Sequence, residues 1–73
     1  MFSKEIKDLL NAGANVELPS VTSLSMEFEN FARLAKNKNA NFTITEAETI
    51  ISSEREKIAK AGGNNVTFRF KKA

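Results

Sequence analysis

Leu34-Ala35-Lys36-Asn37-Lys38-Asn39-Ala40-Asn41-Phe42-Thr43-Ile44 reads as the last turn of a helix, a polar turn and a strand. The same succession comes again as Ile58-Ala59-Lys60-Ala61-Gly62-Gly63-Asn64-Asn65-Val66-Thr67-Phe68. Leu34 aligns with Ile58, Lys36 with Lys60, Asn41 with Asn65, Phe42 with Val66 and Thr43 with Thr67, always 24 residues apart. A unit used twice in so short a chain makes this helix-to-strand joint the organising element.

Outward from the joint, helices and strands alternate along the chain. Residues 3–12 carry Phe2, Ile6, Leu9 and Leu10 at the spacing of one helical face. Ser3 is placed to cap that helix and Gly13 to end it. In residues 15–19, Val16 and Leu18 share a face and Glu17 takes the other, until Pro19 stops the ladder. Residues 24–37 form a second helix with Leu24, Phe28, Phe31 and Ala35 on its stripe and Ser23 or Ser25 as the cap. Its acids, Glu27 and Glu29, come early and its cations, Arg33, Lys36 and Lys38, come late, which suits the helix dipole.

Residues 41–45 are the clearest strand, because apolar and Thr residues alternate with period two. Ser53 and Glu56 have capping-box spacing and favour a helix over 53–61; Thr45 with Glu48 allows an earlier start near 47. Ile51, Ile58 and Ala59, with Ile50, give that helix its expected buried side, and Gly62-Gly63 ends it. Residues 66–70 are a third alternating strand, followed by the basic Lys71-Lys72.

The fold class that follows is α/β: a small αβαβαβ domain with three parallel strands. Its segments are an N-terminal helix (1–14), a first β-α unit (15–40), a second (41–64), and a terminal strand with a basic tail (65–73). Strands joined through a helix run parallel. One face of these strands is apolar (Val16, Leu18, Phe42, Ile44, Val66, Phe68, Phe70) and the other polar (Glu17, Thr43, Thr45, Thr67, Arg69). A sheet covered on both faces would be apolar throughout, so all the helices are expected on one side. Two strand orders remain open, 1-2-3 and 2-1-3.

Strand-helix units of this length with a one-sided sheet resemble leucine-rich repeats. Phe42-x-Ile44-x-x-Ala47-x-x-Ile50 is similar to that family's L-x-L-x-x-N/C-x-L segment, with Ala47 near the hinge position and the last apolar residue one place late. Ile58, Ala59 and Gly62 resemble the helix and turn that follow. The likeness spans roughly residues 15–70; Phe, Ile and Val stand where the family has leucine, and the hinge Asn or Cys is missing. It implies a binding or scaffolding surface on the open sheet face and no catalytic residues.

Composition narrows the chemistry. The chain has 73 residues, no Cys and no His, so disulfides are excluded and the usual zinc and haem ligands are missing. No calcium-loop motif is present, and no cofactor is expected. Gly62-Gly63 runs from helix into strand, the reverse of a phosphate loop. The serines at 20, 23, 25, 52 and 53 fit caps and turns, and paired acids such as Glu46/Glu48 fall on different faces of a helix. An enzyme is not expected. The net charge of +2, from 11 Lys and Arg against 9 Asp and Glu, demands no nucleic-acid partner. No apolar run reaches membrane-spanning length and the charged N-terminus is unlike a signal peptide, so a cytoplasmic, soluble protein is expected.

A single core of this size gives roughly 3–5 kcal/mol without staples, which makes a partner useful. The C-terminal strand ends the chain, and an alternating edge with nothing beside it invites a second copy. The expected function is therefore an interaction or assembly module that forms homo-oligomers through this strand. The candidate residues are Phe68 and Phe70 together with the open-face Glu17, Thr43, Thr45, Thr67 and Arg69. A different expectation is a small nucleic-acid-binding regulator, with Arg69-Phe70-Lys71-Lys72 joined by Lys36, Lys38 and Lys60.

Overall fold

The computed structural model describes residues 3–23 and 25–71. Phe2, Leu24 and Lys72, assigned above to two helical faces and the basic tail, lie outside the described residues. The element order is α1 (Ser3–Asn11), β1 (Val16–Pro19), α2 (Ser25–Lys38), β2 (Phe42–Thr45), α3 (Ser52–Gly62) and β3 (Val66–Arg69). Short 3₁₀ turns at Ser20–Thr22, Ala47–Thr49 and Gly63–Asn65 join them. The strands are parallel in the order β1-β2-β3, which decides between the two orders left open.

The sheet register reproduces the spacing of the sequence. Val16 pairs with Phe42 and Phe42 with Val66; Thr43 lies beside Thr67. Each strand is entered through the same joint. A residue with positive φ stops the helix (Gly13, φ 87°; Asn39, φ 57°; Gly63, φ 57°), and two residues later an asparagine precedes the strand. After α1 and α2, a backbone hydrogen bond spanning five residues closes the turn, Ala14 N–H to Leu9 C=O (3.0 Å) and Ala40 N–H to Ala35 C=O (2.9 Å). This is the Schellman geometry. The first unit therefore shares the joint in full; its helix is shorter, and its ending aligns through Gly13 and Asn15 rather than through Leu10. The asparagines tie neighbouring joints. Asn41 N–H donates to Asn15 Oδ1 (3.0 Å), and Asn65 Nδ2 donates to Ala40 C=O (2.7 Å).

The helices cover one face. Phe28 and Phe31 of α2 stand over Phe42 of β2 with ring centroids 5.9 and 5.6 Å apart, the second pair edge-on. Ile6 and Leu10 of α1, Ile44 of β2 and Ile58 of α3 complete a buried cluster, against which Leu18, Val66 and Phe68 are partly covered. Small residues let α3 approach α2. A Cβ built on the buried Gly62 would lie 2.7 Å from Val66 Cγ2 and 3.0 Å from Ala32 Cβ.

Four local expectations are corrected. Ile51 is 67% exposed. Ile50 and Ile51 are both extended (ψ 129° and 150°), so their side chains point to opposite sides and only Ile50 is buried. Ser53 and Glu56 form no capping box: α3 starts at Ser52, and Ile51 C=O receives the first N–H groups, from Glu54 and Arg55. Leu9 lies off the Ile6–Leu10 stripe and is exposed. β3 ends at Arg69, so Phe70 follows the strand and is 51% exposed.

Gly62→Ala should destabilise the domain by about 1–3 kcal/mol through overpacking between α3, Ala32 and Val66. Urea unfolding followed by circular dichroism reads the shift; an unchanged midpoint would show that Gly62 does not set the helix spacing.

Candidate interaction site

Two surfaces carry the expected residues, and a cleft lies apart from them. On the open sheet face, Glu17, Thr43 and Thr67 stand in one row across the three strands, and Thr45 and Arg69 in the next. Arg69 Nη1 reaches back to Glu17 Oε2 (3.3 Å), so a pair joining the two outer strands passes over the central one. Both partners are exposed, and such a pair contributes about 0–1 kcal/mol. The structure thus brings these five residues together, with Arg69 already engaged.

Phe68 and Phe70 are elsewhere. Phe68 turns to the helix side and is partly covered by the core. Phe70 lies beyond the strand with the Arg55 guanidinium 5.2 Å from its ring centroid. Arg55 Nη1 also donates to Ala47 C=O (3.1 Å), which fixes the cation in place for the ring. The next residue is tied too: Lys71 N–H donates to Glu48 Oε1 (3.0 Å). That bond, followed by the Glu48 backbone N–H, holds the Glu48 carboxyl below the usual carboxylate range. A slight desolvation opposes the shift, and the charges of Lys71 and Arg55 reinforce it.

The two sheet edges differ in what their backbones offer. Val16 N–H donates to Asn41 C=O (2.9 Å), so Val16 faces β2. Backbone groups alternate sides along a strand, which directs Glu17 and Pro19 to the outer edge of β1. Pro19 has no N–H. The same alternation through β2 turns Thr67 and Arg69 inward and Val66 and Phe68 outward. Val66 N–H bonds to Gly63 C=O. Among the described residues, no partner faces Phe68 N–H, Phe68 C=O or Val66 C=O.

At the finishing ends of the strands an open cleft of about 550 Å³ lies between the starts of α2 and α3. Ser20, Thr49, Ile50, Ile51, Met26 and Glu54 are among its walls. Ser20 Oγ donates to Glu46 C=O (2.8 Å) and meets the Thr49 hydroxyl. This clasp holds Glu46 in a left-handed conformation (φ 54°), which is unfavourable for a residue other than glycine. Val21, Met26 and Ile51 expose apolar side chains at this end. Val21 and Met26 were missed from sequence: single apolar residues in a polar stretch leave no periodic signal. The Ile50-Ile51 pair held a usable one, since two adjacent extended residues cannot both face inward.

The cations named for a nucleic-acid surface are divided by the topology. Lys36 and Lys38 lie in the last turn of α2 and Lys60 in that of α3, at the ends where strands begin. Arg69, Phe70 and Lys71 lie where β3 finishes. Among the described residues, no group of three or more carboxylates gathers to hold a metal ion, and no helix is long and apolar enough to cross a membrane.

The Glu48 tie gives a pH dependence with a definite sign. Because the folded carboxyl titrates below its unfolded value, the tie is complete at neutral pH and is lost as pH falls through that lowered value. In an acid titration by NMR, the Lys71 amide should move with a midpoint below the ordinary value of a glutamate side chain, and Glu48→Gln should abolish the movement. A Lys71 amide that does not respond to the Glu48 carboxyl would remove the tie. Set against protein families, characterised proteins and solved structures, the chain shows no match to any of them.

Proposed function

We propose that this domain is a protein-interaction module that self-associates through the outer edge of β3. The observation that carries the reading is the backbone of Phe68: its N–H and C=O face outward on an apolar strand and meet no partner among the described residues. Backbone groups of this kind bind an added strand, and natural proteins usually guard them. Val66 and Phe68 are only partly covered and Phe70 is half exposed, so a neighbour at this edge would bury apolar surface that the chain's own helices leave wet. The one-sided sheet in the order β1-β2-β3 agrees with the arrangement that the leucine-rich-repeat likeness implies, and there the end of an array is where a further unit packs. The open face, with Glu17, Thr43, Thr45, Thr67 and Arg69, is a second surface for a protein partner. A nucleic-acid role draws less support, since Lys36, Lys38 and Lys60 do not share a surface with Arg69 and Lys71.

Light scattering across low to high micromolar concentration should show the mass rising above the protomer's 8.1 kDa. Phe70→Asp should weaken association at least tenfold, about 1.4 kcal/mol, while the far-UV circular dichroism of the chain stays that of the wild type. Phe68→Asp would unfold the chain instead, because Phe68 also packs on the core. A wild-type chain that stays monomeric throughout overturns the proposal.

A further inference from the structure

The geometry points to a closed, twofold dimer in which β3 pairs antiparallel with β3 of a second copy about Phe68, and against an open head-to-tail chain. The inference rests on the self-association reading above and specifies its partner and symmetry.

A head-to-tail chain would lay β3 of one copy beside β1 of the next, continuing the parallel sheet. That edge is guarded. The outward residues of β1 are Glu17 and Pro19, and the rung that Phe68 C=O would need falls on Pro19, which has no N–H. Pro19 C=O already accepts the Thr22 hydroxyl. The charges that could recommend such a joint, Arg69 on one edge and Glu17 on the other, are bonded to each other within the chain.

β3 is complementary to itself. With Phe68 on the twofold axis, Phe68 N–H donates to Phe68 C=O of the second copy and the reverse. With β3 extended by one residue on pairing, Phe70 N–H donates to Val66 C=O, again in both directions. The first pair uses the N–H and C=O of Phe68 and the second the C=O of Val66, which meet no partner among the described residues. Val66 N–H, which bonds to Gly63 C=O inside the chain, is not called on. On the helix side, Phe68 meets Phe68 and Val66 meets Phe70, both apolar cross-strand pairs. On the open face, Thr67 stands opposite Arg69, so no like charges face one another. A twofold normal to the sheet keeps both sets of helices on the same side and makes one six-stranded sheet whose outer edges are the two guarded β1 strands. Growth stops at two, as an isologous interface requires.

The chain has no cysteine, so single cysteines report the pairing directly. Thr67 and Arg69 of the second copy form a non-hydrogen-bonded antiparallel pair, with Cα atoms about 4.5 Å apart, within disulfide range. Thr67→Cys and Arg69→Cys full-length chains, one isotope-labelled, are mixed and oxidised in air; mass spectrometry reads the products. The expected result is a mixed 67–69 disulfide in high yield, at least tenfold above Thr67→Cys mixed with Glu17→Cys, together with a wild-type mass that levels off at twice 8.1 kDa. A dominant 67–17 link with mass growing as concentration rises overturns the closed pairing and leaves the module reading standing. A dimer in which neither pair links overturns strand pairing through β3. A wild-type chain that remains monomeric overturns both.

Discussion

The aromatic contact between Phe42 and the two α2 phenylalanines is the constraint on which the rest of the molecule depends. β2 is the one strand with a neighbour on each side, and Phe42 and Ile44 are wholly buried. Phe28 and Phe31 cover it, and the same helix presents Ala32, small enough to admit α3 at Gly62. With no disulfide or histidine-bound metal to lend stability, packing must supply it. Coverage falls from the centre outward: Val66 and Phe68 are only partly enclosed. The central strand is enclosed fully, whereas Leu18 of β1 and both apolar residues of β3 are enclosed only in part.

Much of this was legible because two periodicities agree. Strict alternation in the strands fixed which face would be covered, and the offsets of 26 and 24 between Asn15, Asn41 and Asn65 are also the offsets of the sheet register. A repeat in sequence became a register in space because each joint ends its helix on a positive-φ residue, places an asparagine two residues later and enters the strand at the next residue. Strand order was not readable, since 1-2-3 and 2-1-3 use the same alternation. Ile51 misled because a helical pattern was extended over two residues that are extended in backbone. The reach of Arg69 to Glu17 joins residues on strands that are not neighbours, and no local spacing announces such a pair. Val21 and Met26 gave no signal, since isolated apolar residues on a surface are ordinary.

Helix-end chemistry also sorts charge over the whole domain. Acids favour first turns and cations last turns. Since α2 and α3 both run back against the strands, this preference puts Glu27 and Glu54 at the end where strands finish, and Lys36, Lys38 and Lys60 at the end where they begin. Glu46 and Glu48 add to the acidic end. Arg55 and the Lys71 main chain answer them there, through Ala47 C=O and the Glu48 carboxylate. A rule that acts within single helices thereby gives the domain two ends of unlike character.

The shared joint has a consequence for how such a chain can change in length. The asparagine, the positive-φ stop and the register recur together at 26 and 24 residues, so each joint delivers its strand at the same height in the sheet. Duplicating one interior unit would add a strand and a helix while every cross-strand partner kept its neighbour, with β1 and β3 still the terminal strands. An insertion of another length would leave its joint out of step with the one beside it.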